Sequence, residues 1–309
     1  MRQRQIGSLS VSAIGLGCNN FGKRITDESR AHQIVHAALD AGITFFDTAD
    51  IYGATVSEEF LGRALGARRD EVLIATKFGM PVDDERKGAR PDYVRRAAED
   101  SLRRLGTDRI DLYQLHEPDP DTPIADTLGA LNALVEAGKV RETGCSNFSA
   151  GQLREADAAA APGTARFVSV QNEYSLLDRE PEAEVLPECL RLGLAFIPYF
   201  PLASGVLTGK YTTGEPPAGT RLATYPADRV GDLLAAGNLA TVERLSVWAG
   251  DHGHAVHELA IAWLLAQRPV ASVIAGASSP DQVRANAAAA DWEIGAADLD
   301  GVEAALTAV

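Results

Sequence analysis

Four polar side chains, Asp47, Tyr52, Lys77 and His116, stand where apolar runs give out. Ile-Thr-Phe-Phe precedes Asp47, Val-Leu-Ile-Ala-Thr precedes Lys77, and Ile-Asp-Leu-Tyr-Gln-Leu precedes His116. Tyr52 follows in the loop after the first run. Short apolar runs of this kind read as buried strands, and consecutive strands of a parallel α/β protein end on one face, so the four side chains converge. A phenol holds its proton up to a pKa near 10. A neighbouring ammonium favours phenolate and pulls that value down, typically by about 1–3 units. A carboxylate beside the ammonium keeps it charged, and an imidazole can donate to a carbonyl oxygen. Such a set can polarise a carbonyl and deliver a proton to its oxygen as negative charge develops there. Taken singly, Asp47 could form a turn, Lys77 be solvated, Tyr52 lie on the surface and His116 bond a backbone carbonyl. All four at one end of one sheet make a poor coincidence.

The elements that must position them alternate along the chain. Spacing, proline starts and glycine stops predict helices over 28–41, 57–65, 91–105, 123–137, 149–161, 180–192, 255–267 and 280–290, with Ser57 capping the second. Strands are expected at 13–17, 43–46, 72–76, 110–115, 140–145, 167–171, 194–198 and 272–275. Eight strand–helix units favour a closed (β/α)8 TIM barrel over an open doubly wound sheet. Gly15-Leu16-Gly17 lacks the third glycine and the following helix of a dinucleotide-binding turn. Residues 3–10 are expected to form a hairpin plugging the N-terminal end. An insertion after the seventh strand, 203–252, turns helical near residue 232. The whole of 1–309 reads as one domain.

Composition narrows the partners. At 309 residues, 46% hydrophobic and 23% charged, the chain can bury a large core. A net charge of −14 disfavours nucleic acid and anionic membranes. No apolar leader or bilayer-length run is seen, so a cytoplasmic protein is expected. Cys18, Cys145 and Cys189 are unclustered, which supports neither a disulfide framework nor a thiolate zinc site. Cys145 has no base arranged for it and reads as a small buried residue. His252, His254 and His257 invite a metal reading but lack a ligand pattern, so no metal is expected. Trp248 and Trp263 have core spacing.

Several segments resemble the aldo-keto reductase superfamily: Phe46-Asp47-Thr48-Ala49-Asp50-Ile51-Tyr52-Gly53, Ala75-Thr76-Lys77, Leu115-His116 and Gly144-Cys145-Ser146-Asn147-Phe148. Pro198-Tyr199-Phe200-Pro201-Leu202-Ala203-Ser204-Gly205 and Ile274-Ala275-Gly276-Ala277-Ser278 join them, in family order and across nearly the whole chain. The resemblance implies an NADPH-dependent reductase of aldehydes or ketones. Tyr52 would donate the proton, Lys77 and Asp47 would lower its pKa, and His116 would orient the carbonyl. Ser146, Asn147 and Gln171 would hold the nicotinamide carboxamide, and Tyr199 would stack on its ring. Gly17, Cys18 and Asn19 would border the cofactor. Leu202, Ser204, Gly205 and Lys210 would belong to the segment that wraps its pyrophosphate, Arg221 would reach its phosphates, and Phe200 and Pro201 would also contact it. The segment 276–286, with Gly276, Ser278, Gln282 and Asn286, would take the adenosine end, and Ile274 would also contact the cofactor. That end departs from the common pattern: Ala285 stands where a glutamate is frequent, Gly276 and Gln282 where Lys or Arg marks NADPH preference, and Arg284 is an extra cation.

Specificity is expected from the loops after the strands, at Asn20-Phe21, Phe78–Met80, Phe148 and the 212–229 insertion, with Phe21, Phe78 and Phe148 as substrate contacts. The chain stops soon after its last expected helix, which suggests an open pocket or one completed in a homo-oligomer. Two other functions compete. The family also includes cofactor-binding regulatory subunits with little turnover, and a metal-dependent barrel hydrolase would need a His-x-His pair early in the barrel or a carboxylate cluster at strand ends, neither of which is seen.

Overall fold

The computed structural model describes residues 1–307. An antiparallel hairpin comes first, β1 (Gln3–Ile6) and β2 (Leu9–Ser12), and the expected plug thus runs two residues further than predicted. The barrel strands follow as β3 (Ile14–Gly17), β4 (Phe45–Asp47), β5 (Leu73–Phe78), β6 (Ile110–Leu115), β7 (Val140–Ser146), β8 (Phe167–Glu173), β9 (Ala195–Tyr199) and β10 (Val273–Gly276). Between them lie α1 (Glu28–Asp40), α2 (Val56–Leu65), α3 (Pro91–Leu105), α4 (Ile124–Glu136), α5 (Ala150–Ala159) and α6 (Val185–Leu192). After β9 come α7 (Ala227–Leu233), α8 (Ala236–Asp251) and α9 (Val256–Ala266); α10 (Pro280–Ala288) and α11 (Ala296–Thr307) end the chain.

The eight strands pair in parallel with β10 beside β3 and β9 at the other edge. Closure runs through the segment before β10: Phe196 N–H donates to Pro269 O at 2.7 Å and Ala271 N–H to Phe196 O at 2.9 Å. The hairpin fills the bottom. Ile6, Leu9 and Val11 pack on the inward residues Phe45, Ala75, Leu112 and Ile197. A second, larger apolar layer lies between strands and helices.

Four expectations need correction. Ser57 does not cap α2; Thr55, at φ +80°, holds that position, while the buried Ser57 hydroxyl donates to Cys18 O at 2.9 Å. The helix expected at 180–192 is a short 3-10 turn followed by α6, broken before Val185. The helix expected from about 232 is divided between α7 and α8. The helix α11, with Gly301 against Trp248, was not foreseen, because its alanine-rich pattern has little sidedness.

Candidate active site

Side chains alternate along a strand, so every second residue enters the barrel. On β4, Phe45 and Asp47 point inward and Phe46 outward toward the helices. On β5, Ala75 and Lys77 point inward, while Thr76 bonds Glu58 of α2 and Phe78 packs on Tyr113 at 4.7 Å. The same parity carries Ser146 and Gln171 to the top of β7 and β8.

The Lys77 ammonium, wholly buried, donates to Asp47 Oδ1 at 2.6 Å and to Thr48 O at 2.9 Å. Asp47 Oδ2 accepts from Gln171 Nε2 at 2.8 Å and from Gln114 Nε2 at 3.4 Å. Burial disfavours the Lys77 charge, but Asp47 and then Tyr52 outweigh it and leave the ammonium above its usual pKa. The Tyr52 ring centroid lies 5.2 Å from Lys77 Nζ and 5.7 Å from the His116 ring, edge to face. Here the electrostatics differ from expectation. Lys77 does pull the Tyr52 phenol down, yet burial is the larger effect and the net direction is up. Burial, helped by Lys77, drops His116 to about 3, so its imidazole is neutral at ordinary pH. Such a ring donates one hydrogen bond without bringing a second positive charge.

The loop bearing Tyr52 is held by close backbone contact. Gly53 has φ +59°, and a Cβ there would lie 2.3 Å from Phe21 O and 2.7 Å from Gly22 Cα. No residue with a side chain fits that approach.

These groups line a cavity of about 850 Å³ at the C-terminal end of the barrel. Asp47, Tyr52 and His116 are in its wall and Lys77 lies behind it. Gly17, Asn19, Ser146, Asn147, Gln171, Tyr199, Phe200, Pro201, Leu202, Ser204, Gly205, Lys210, Arg221, Ile274, Gly276, Ser278, Gln282 and Asn286 line it too. Cys18 does not: strand parity turns it outward, its thiol is wholly buried 3.8 Å from Leu16 O, and burial holds its pKa high. Nor do the three expected substrate aromatics. Phe21 and Phe78 are core residues, and Phe148 packs edge-on against Phe167 at 5.7 Å. Arg284 is tied to Asp281 at 2.7 Å and stays outside the cavity. The pair Ser146-Asn147 caps no helix; Ser149 does so, in a capping box with Gln152.

Some lining residues went unrecognised: Arg24, Glu173, Thr208 and His257. Parity from Gln171 would have found Glu173, two positions on; the others carry no local signal. His252 and His254 instead stack on Trp248 and Trp292, each at 3.9 Å. Among the described residues no cluster of His, Cys, Asp and Glu is arranged to hold a metal.

The wall suits an elongated anionic ligand. In a chain of net charge −14, it gathers Arg24, Lys210, Arg221 and Arg229, none in an ion pair among the described residues. Arg221 and Arg229 both lie over the Phe200 ring, at 4.7 and 5.8 Å. Gly17 and Gly276 face one another in register, beside an Asn19 Oδ1 that is buried without a partner. These features fit a dinucleotide.

The model of the Aldo/keto reductase family matches residues 13–307. The chain belongs to this family. It is 38% identical over 264 residues to "Probable aldo-keto reductase 1" of Glycine max, covering 83% of this chain and 74% of that one. To "Uncharacterized oxidoreductase YrpG" of Bacillus subtilis (strain 168) it is 39% identical over 292 residues, 89% and 86% of the two chains. Among solved structures, glycerol dehydrogenase AKR11B4 from Gluconobacter oxydans superposes with a TM-score of 0.85 at 31% identity, covering 98% and 94%. The holo form of aldo-keto reductase AKR11C1 from Bacillus halodurans gives 0.82 at 33%, covering 100% and 97%. As an aldo-keto reductase the protein is an oxidoreductase of a family that uses nicotinamide cofactors on small carbonyl compounds. Among the described residues no helix of this reductase is long and apolar enough to cross a membrane.

Proposed function

We propose that this aldo-keto reductase reduces aldehydes or ketones with NADPH, and oxidises the corresponding alcohols when supplied with NADP+. The observation that carries this is the buried Lys77–Asp47 pair beside Tyr52, with a neutral His116 in the same wall. A bound nicotinamide would supply hydride to the carbonyl carbon. The protein supplies the rest. His116 donates to the carbonyl oxygen, and Tyr52, held protonated by burial, passes its proton to that oxygen. Lys77 then stabilises the phenolate that remains, and Asp47 keeps Lys77 charged.

Ser146, Asn147 and Gln171 are suited to the carboxamide because their own positions are fixed. Asn147, at φ +61°, donates to His116 O at 2.9 Å and accepts from Tyr199 Oη at 2.8 Å. Ser146 Oγ donates to Gln171 O at 2.7 Å. The cradle is thereby pre-organised and tied to Asp47 through Gln171.

The test follows NADPH oxidation at about 340 nm with 4-nitrobenzaldehyde and methylglyoxal, comparing wild type with Tyr52→Phe. Removing a general acid costs on the order of 10²–10⁴ in rate, while NADPH affinity should stay within about twofold. A Tyr52→Phe variant that keeps wild-type turnover would remove Tyr52 from the mechanism. Tight NADPH binding without turnover in the wild type would favour a cofactor-binding regulatory subunit instead.

A further inference from the structure

The adenosine end of the cavity has no free cation of its own. From the segment 276–286 the wall receives Gly276, Ala277, Ser278, Gln282, Ala285 and Asn286, none charged. Arg284, the one cation in that segment, is spent on Asp281 outside the wall. A guanidinium arrives from elsewhere. Arg30, on the first turn of α1, donates through Nε and Nη2 to Ser278 O at 3.0 and 2.7 Å. Arg30 is exposed and makes no ion pair among the described residues, whereas neighbouring Glu28 is taken by Arg63 at 2.6 Å.

Anchoring to one carbonyl uses one edge of the guanidinium. Its Nη1 donors stay available beside Ser278, whose residue lines the cavity. Ser278 itself is held, since its N–H and hydroxyl both donate to Gln282 Oε1, at 2.7 and 3.0 Å. Sites built for an unphosphorylated ribose present a carboxylate to the 2′-hydroxyl. Here Ala285 and Gln282 offer none, so nothing in the wall of this segment repels a phosphate.

We propose that Arg30 binds the phosphate on the 2′ position of the cofactor's ribose, and that it sets the preference for NADPH over NADH from outside the segment that contacts adenosine. The inference rests on the nicotinamide-cofactor reading above. Arg30 serves recognition only; it touches no reacting atom.

The experiment uses the whole protein and binding as its readout. Fluorescence titrations with NADPH and NADH, and competition by 2′,5′-ADP and 5′-ADP, are run on wild type, Arg30→Lys and Arg30→Ala. Wild type should bind NADPH at least about tenfold more tightly than NADH. Arg30→Ala should lose on the order of tenfold or more for NADPH and 2′,5′-ADP, as expected for a charge-assisted hydrogen bond, with NADH and 5′-ADP unchanged. Arg30→Lys should retain part of the preference. Equal losses for both cofactors would show that Arg30 only holds α1 against Ser278, and would overturn the proposal. So would an unchanged ratio in Arg30→Ala, or a wild type without preference. If neither nicotinamide cofactor binds wild type, the cofactor reading fails and takes this inference with it.

Discussion

Lys77 Nζ and Asp47 Oδ1 are 2.6 Å apart in a barrel interior where the lysine has no exposed surface. Charges taken this far from water are tolerable only as a pair, and removing one partner strands the other. Asp47→Asn is therefore expected to destabilise the fold by about 3–5 kcal/mol as well as to slow turnover. Lys77→Met strands Asp47 in the same way. The double variant Asp47→Asn/Lys77→Met should recover much of the stability and none of the activity. Urea unfolding of the three proteins, read beside their turnover, separates the two effects.

His116 is held at about 3 by burial and then by Lys77. An unfolded histidine takes its proton near 6.5, so the unfolded chain binds more protons than the folded one between about 3 and 6.5. Stability from this group is complete above that window and is lost as pH falls through it. Activity should show no limb near 6.5 due to His116. An NMR titration in which the His116 ring resonances move at pH 6–7 would count against a neutral donor.

Asp50, on the loop between Asp47 and Tyr52, has the opposite sign. Burial, then Glu58 of α2, raises its carboxyl to about 7; Arg104 and the Tyr93 hydroxyl, 3.3 Å from Oδ2, act against this. Its Oδ1 is buried without a partner. The folded protein therefore holds an extra proton from about pH 4 up to about 7, and stability falls as pH rises through that range. Asp50→Asn should flatten this slope. Melting temperatures at pH 5 and pH 8 should differ less in the variant than in wild type.

Gly53→Ala places a methyl group where Phe21 O and Gly22 Cα already lie, on a residue at φ +59°. The loop must then move, and Tyr52 with it. A loss of turnover of about tenfold or more, with NADPH affinity little changed, is the expected outcome, because small displacements of a proton donor are costly. Unchanged turnover would mean that the loop relaxes without shifting the phenol.

The barrel and the convergence of the four catalytic candidates are legible in the chain alone. Alternating apolar runs and capped helices leave few ways to bury their faces, and parallel strands bring their C-terminal ends together. Asp47, Lys77 and His116 could be placed because each closes a run whose parity points it inward. Which neighbours share each side chain's surroundings follows instead from packing. Phe21, Phe78 and Phe148 looked like pocket residues beside the right motifs, but strand parity and loop packing turn them into the core. The sign of the Tyr52 shift depended on how deeply the phenol is buried against how close Lys77 comes, and spacing measures neither. Glu173 was within reach of parity reasoning. Arg30 was not: 248 residues separate it from the Ser278 carbonyl it grips. Local pattern reports on neighbours in the chain, whereas a binding site is assembled from whatever the closed barrel brings together.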